Sequence, residues 1–275
     1  MGKTTGIGFF IMALACGACG DDDDDDGSDR DGGDAARGGS SGRGGNGGRG
    51  GATDPRGGNG GSGGSGSGDD ASVDEDGGGD DEPMTFFVSS DGSMTGDLDG
   101  LSGADARCER LAQAVGRGSA TWRAYLSAEG EGEDAGTPIH ARDRIGTGPW
   151  HNSKGQLLAA NLTALHALAG GNPDLFIDEK GVKVPGQWAG SPTPNVHDIL
   201  TGSTADGMLL AGKACESWTS SSADLAAQVG HSDGLGPMMN PAPPYNSWNS
   251  SHENGGCNDT APRGGGGRIY CFASD

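Results

Sequence analysis

The sequence predicts an α+β domain built on an antiparallel sheet, confined to residues 84–275 and held by two disulfides. Three observations predict it. Beyond a short apolar N-terminal stretch, apolar and aromatic side chains are dispersed only after residue 84, and all five tryptophans lie there. Short strand-like runs outnumber helical ones, with loops rich in Gly, Asn, Ser and Pro between them. Four of the cysteines, at 108, 215, 257 and 271, fall in this region, the even number that an exported chain uses for two bridges. Number alone leaves three pairings open.

The first element is a strand over Thr85-Phe86-Phe87-Val88-Ser89, aromatic and β-branched, stopped by the turn formers Ser90-Asp91-Gly92. A helix follows. Ser102 and Asp105 have capping-box spacing, and Cys108, Leu111, Ala112 and Val115 recur at helical intervals before Gly116, so Cys108 points into the core. Trp122, Ala124 and Leu126 alternate with Arg123, Tyr125 and Ser127, the period-two pattern of a half-buried strand. Asn161 is placed to cap a shorter helix through Leu162, Leu165 and Leu168, and Arg268 to Phe272 reads as a closing strand.

Residues 1–15 read as a signal peptide: Lys3 supplies the positive start and Gly6 to Ala15 the apolar run, far short of the ~20 residues of a spanning helix. Met12-Ala13-Leu14-Ala15-Cys16 resembles the lipobox of bacterial lipoproteins, which makes Cys16 the first choice for lipid attachment and Cys19 the second. Residues 16–83 are expected to be a disordered tether, because glycine runs such as GGNGGRGG and the six aspartates Asp21 to Asp26 bury too little to offset about 1–2 kcal/mol per residue of backbone entropy. A flexible coil of that length reaches about 45 Å. The glycines keep no period of three, which excludes a collagen helix.

The formal charge of -21 divides as 18 acids against 6 bases before residue 84 and 21 against 12 from there on. Neither part offers the cationic field that nucleic acid requires, so no nucleic-acid partner is expected.

The segment GLSGADARCERLAQAVGRGSATWRAYLS resembles endostatin, the C-terminal domain of collagens XV and XVIII, in its Cys-bearing helix and the following Thr-Trp-Arg-Ala-Tyr-Leu-Ser strand. KACESWTSSSADLAAQVG and GCNDTAPRGGGGRIYCFA resemble its later cysteine regions. DRIGTGPWHNSKGQLLAANL, TGSTADG, CESWTSSS, VGHSDG and SWNSSH are similar to a bacterial exported-lipoprotein domain family of unknown function. Together these matches run from Phe86 to Phe272. The resemblance implies a C-type-lectin-like (endostatin-like) fold with nested bridges, Cys108 to Cys271 and Cys215 to Cys257.

Calcium-dependent sugar sites of that fold need several carboxylate oxygens. Trp248-Asn249-Ser250 stands where the resemblance puts such a strand, with Ser250 in place of the acid, and Thr193-Pro194-Asn195 lacks an acid as well. Calcium is the ion such a sugar site would take; the zinc-binding histidines of endostatin precede the matched region and have no counterpart near Met84, and no cofactor is expected. Arg142 and Arg144 are the only tight arginine pair, so heparin binding does not transfer. Within residues 84–275 no Cys-x-x-Cys or paired-His spacing announces a metal site, and no Gly-x-Ser-x-Gly elbow leading into a helix and no His-Glu-x-x-His motif announces an enzyme. The candidate ligand-binding residues are His231, Asp233, Trp248, Asn249 and His252.

The sequence thus predicts a non-enzymatic lipoprotein, lipid-anchored to the outer membrane or cell surface, displaying a recognition domain for a protein or glycan. The alternatives are a secreted hydrolase or metal-dependent enzyme using His231, Asp233 and His252, and a purely structural envelope protein. Metabolic labelling with palmitate tests the anchor: label enters the wild type and the Cys19→Ser variant, and a Cys16→Ser variant stays unlabelled.

Overall fold

The computed structural model describes residues 83–130, 136–190 and 192–275, all within one compact unit, Ser72–Asp275. The signal peptide, Cys16, Cys19 and the tether up to residue 82 lie outside the described residues. No helix among the described residues is long and apolar enough to cross a membrane.

The architecture is α+β with few helices. In chain order the elements are β1 (Phe86–Val88), α1 (Gly100–Ala114), β2 (Trp122–Ala124), β3 (Trp150–His151), β4 (Leu157–Ala159), α2 (Leu162–His166), β5 (Asp198–Leu200), β6 (Gln228–His231), β7 (His252–Glu253) and β8 (Gly265–Ala273). The main sheet runs β1-β8-β5-β6-β7, with β2 also paired to β8, and β3 and β4 form a separate ribbon. All its pairs are antiparallel except β5 with β8.

The main sheet is buried on both faces. Phe87, Leu200, Ile269 and Cys271 belong to one core, which α1 covers through Leu101, Ala104, Cys108 and Leu111. Phe86, Val88, Ile199, Tyr270 and Phe272 belong to the other, closed by Trp150, Leu165, Phe176 and Trp248. Strand alternation distributes them, and each buried Leu or Phe contributes about 1.5–3 kcal/mol.

α1 ends as expected. Gly116 takes φ +78, its amide bonds the Gln113 carbonyl (3.0 Å), and the Arg117 amide bonds that of Ala112 (2.8 Å), which is the Schellman pattern. Its start differs from the capping box. The helix begins three residues earlier, after Asp99 in the left-handed region, and no side chain caps it. Asp105 is drawn elsewhere, to Arg144 Nη2 (2.8 and 2.7 Å), Arg123 (3.0 Å) and the Ala124 amide (2.8 Å). Asn161 does cap α2, its Oδ1 accepting from the Ala164 amide (2.9 Å).

The strand expected through Ser127 stops at Ala124, and Tyr125, Leu126 and Ser127 are all buried. Beyond Ala124 the chain dives between layers. Ser127 Oγ meets Ser203 Oγ (2.8 Å) and receives the Ala141 amide (2.9 Å), while Tyr125 enters the second core.

The bridges are Cys108–Cys271, with Cα atoms 5.4 Å apart, and Cys215–Cys257, at 5.8 Å. The first pins α1 to β8. The second starts a turn in which Cys215, Glu216, Ser217 and Trp218 have φ of 46, 50, 57 and 67°. Left-handed backbone costs L-residues about 1–2 kcal/mol each. Offsetting it, the buried Trp218 indole donates to the Ser127 carbonyl (2.8 Å), and the Glu129 carboxylate accepts the Ser217 amide (3.2 Å).

Chain-entropy arithmetic for sequence separations of 163 and 42 residues gives about 5 and about 4 kcal/mol as upper figures for the two bridges, since nested loops are not independent. Urea unfolding should therefore show a lower midpoint for both double-serine variants, with the larger loss in the one lacking Cys108 and Cys271.

Candidate functional site

The site grows from the common end of β5, β6 and β7. In the β5–β6 ladder Asp198 lies directly opposite His231, and in the β6–β7 ladder His252 lies opposite Val229. Val229 and His231 are two residues apart on β6 and share a face, so Asp198, His231 and His252 emerge together. His197 lies just outside β5, where strand geometry ends, and its ring stacks on His231 with centroids 4.5 Å apart.

Asp198 is the hub. The Nε2 atoms of His197 and His231 each lie 3.3 Å from its Oδ1, and His252 Nε2 lies 3.4 Å from Oδ2. The outer nitrogen of every ring meets a group that can only accept: His197 Nδ1 donates to Asp233 Oδ1 (2.7 Å), His231 Nδ1 to the Tyr245 carbonyl (2.9 Å) and His252 Nδ1 to the Glu253 carbonyl (2.8 Å).

Burial, and then the neighbouring rings, shape the ionisation. Burial pushes the Asp198 carboxyl up to about 6, against the pull of His197 and His252. It drives His231 down to about 3, and proximity to His197 and His252 adds to that. Burial alone would raise Asp233, but the hydrogen bond from His197, its charge and the Leu235 and Trp188 amides hold it below the usual carboxylate range.

Above this floor opens a cleft of about 370 Å³. His197, His231 and His252 line its base. Asn195 and Arg263 supply amide and guanidinium groups, and Tyr245 and Pro237 form a less polar wall. The Tyr245 ring lies nearly parallel to His231, at 6° and 6.0 Å. Gly264 keeps the base clear: at φ +107° a Cβ there would sit 3.0 Å from both His197 Nε2 and Asn195 Nδ2.

Of the residues singled out from the sequence, His231 and His252 reach the cleft. Asp233 does not line it, but orients His197 from behind, with Oδ1 also accepting the Leu235 amide (3.1 Å) and Oδ2 the Trp188 amide (3.2 Å). Those bonds occupy the acid, so His231, Asp233 and His252 form no relay. Trp248 and Asn249 are core residues at 2 and 1 % exposure. The Trp248 ring packs against Tyr125 and Tyr270, at 4.9 and 5.3 Å. The Asn249 amide donates to Tyr125 Oη (2.9 Å) and to the Thr204 and Ala205 carbonyls (3.3 and 3.0 Å). His197 and Asp198 were missed in the sequence. Their only signal is a His-Asp pair heading an apolar strand, a charge where Ile and Leu follow.

No family model matches the chain, and no curated protein matches it.

Asn249→Ala removes this core cross-link, leaving the Thr204 and Ala205 carbonyls without its amide and the Tyr125 hydroxyl with only His166 Nε2 (2.8 Å). Chemical denaturation should show a loss of about 1–3 kcal/mol, while ligand affinity of the folded fraction stays unchanged.

Proposed function

We propose that this chain is a non-enzymatic cell-envelope lipoprotein, tethered by an N-terminal lipid at the outer membrane or cell surface, whose C-type-lectin-like domain binds a glycan in the cleft beside β5, β6 and β7. The fold reading is supported by the nested bridges, by the adjacency of β1 and β8 and by the loops that carry most of the chain. Export is supported by the lipobox-like Cys16 and the two disulfides, which oxidising compartments sustain.

The observation that carries the functional reading is convergence. Side chains from five separate stretches, at 187, 195 to 197, 231 to 245, 252 and 263, meet in one concavity of about 370 Å³, the size of a small-ligand site. Imidazole, amide and guanidinium groups face the aromatic Tyr245 wall across it. Hydrogen-bonding groups opposite a ring face suit a single sugar residue better than a flat protein contact. The alternative, a hydrolase or metal-dependent enzyme using the His231, Asp233 and His252 loops, would have to work through the His197–Asp233 pair, since Asp233 bonds His197 and not His231 or His252.

A glycan array probed with the oxidised full-length protein should return hits, and Tyr245→Ala should weaken the best of them at least about tenfold, near 1.4 kcal/mol. A blank array beside a reproducible envelope-protein pull-down would replace the glycan with a protein ligand. Blank results in both would overturn the recognition role.

A further inference from the structure

The base of the cleft poses an electrostatic problem that the recognition reading leaves unsolved. Both carboxylate oxygens of Asp198 are buried, and neither meets a hydrogen-bond donor. A neutral imidazole carries one N–H. In His197, His231 and His252 that hydrogen is taken by acceptors on the Nδ1 side. A neutral ring so engaged turns an Nε2 lone pair toward the carboxylate. Apart from Ser251 Oγ, 3.3 Å from His231 Nε2, the three nitrogens and two oxygens face one another alone, an arrangement that a protein interior tolerates only with a positive charge among them, a proton or a metal ion.

The spacing points to what that species is. A tetrahedral metal with bonds of about 2.0–2.1 Å separates its ligand atoms by about 3.3–3.4 Å. The Nε2 atoms of His197 and His231 lie 3.3 Å from the same oxygen, Oδ1, and that of His252 lies 3.4 Å from Oδ2, from where it would swing in as the fourth ligand. The donor atoms of His197, Asp198 and His231 all lie within 4.8 Å of one another, so small side-chain rotations bring them around one ion. A hydrogen bond from each outer nitrogen to a carboxylate or carbonyl is also how metal-binding histidines are oriented.

We infer that His197, Asp198, His231 and His252 bind one divalent first-row transition metal, with zinc the best match, and that Asp233 positions His197 for it. Three imidazoles and a carboxylate suit zinc. They do not suit calcium or magnesium, which take mainly oxygen ligands. Four protein ligands make a closed site, so the ion acts as a clamp joining β5, β6 and β7 beneath the cleft. His252, whose side chain is 26 % exposed against 1–3 % for the other three, stands on the solvent side and gives the ion its way in.

The test uses the full-length oxidised protein after chelator treatment, titrated with Zn²⁺ and with Co²⁺. Asp198→Asn serves as the control. The substitution is nearly isosteric and its amide can donate to the facing imidazoles, so this variant folds, as near-ultraviolet circular dichroism checks. Both chains carry the same Asp21 to Asp26 run, so metal held by that run cancels. The wild type should bind one zinc more than Asp198→Asn, gain thermal stability from zinc but not from calcium or magnesium, and give the visible bands of tetrahedral cobalt. Asp233→Asn should weaken zinc binding about 10- to 100-fold without removing it. Equal stoichiometry and affinity in wild type and Asp198→Asn, or a wild-type melting temperature indifferent to zinc, would overturn the assignment.

Discussion

The structure hangs on β8. Cys271 sits between Phe87 of β1 and Ala124 of β2 in register, and bonds through its sulfur to Cys108 on α1. The first half of the same strand carries β5, and through it β6 and β7. One strand therefore fixes both the helix-covered core and the strand ends from which the cleft is built. Its glycines serve that crowding. A Cβ on Gly265 would lie 1.8 Å from the Thr260 carbonyl oxygen, and one on Gly267, at φ +60°, 1.9 Å from that of Ser93. At Gly265 and Gly267 other backbone passes too close for a side chain, while Gly264 and Gly266 are crowded by the side chains of Asn195, His197 and Val196.

The treatment of buried acids sets the site apart. Asp105 is surrounded by two guanidiniums and an amide. Glu179 accepts the Ser90 amide (3.0 Å), Asp178 the Lys180 and Val182 amides (2.9 and 2.8 Å), and Asp233 two amides and an imidazole. The domain thus follows the rule that a buried charge is paired or hydrogen-bonded, since leaving it bare costs several kcal/mol. Asp198 departs from it, and does so at the base of a cleft with three imidazoles around it. A fold that satisfies its other buried acids in this way gives that departure a functional meaning.

Much of the fold was legible in local chemistry. The periodic apolar face of α1, its glycine stop at 116, the Asn161 cap and the closing strand all follow from rules that act within a few residues. What escaped depends on distant partners. Asp105 has capping-box spacing, but Arg144, 39 positions away, takes its carboxylate. Tyr125 to Ser127 read as a half-exposed strand because nothing local reveals that both faces of the sheet are covered. Trp248-Asn249, singled out for a ligand, is a core cross-link for the same reason. The site was half legible. His231 and His252 stood out as loop-flanking polar residues, whereas His197-Asp198 carry no spacing motif. Their partners arrive from other strands, and only cross-strand register unites them.

Register also explains why the core residues matter to a cleft they do not touch. A slip of one residue between β6 and its neighbours would send His231 to the opposite face. Gly230 lets the 248–249 backbone pack directly on β6, where a Cβ would lie 1.9 Å from the Trp248 carbonyl oxygen. That oxygen accepts the Tyr270 hydroxyl (2.7 Å), and the Asn249 carbonyl accepts Thr201 Oγ1 (2.7 Å), just beyond the end of β5. The approach to β7 is thereby tied to β5 and β8 by bonds that only one register satisfies. His252 then falls opposite Val229, within reach of Asp198, and the Trp248-Asn249 pair reaches the chemistry of the cleft by fixing where its histidines emerge.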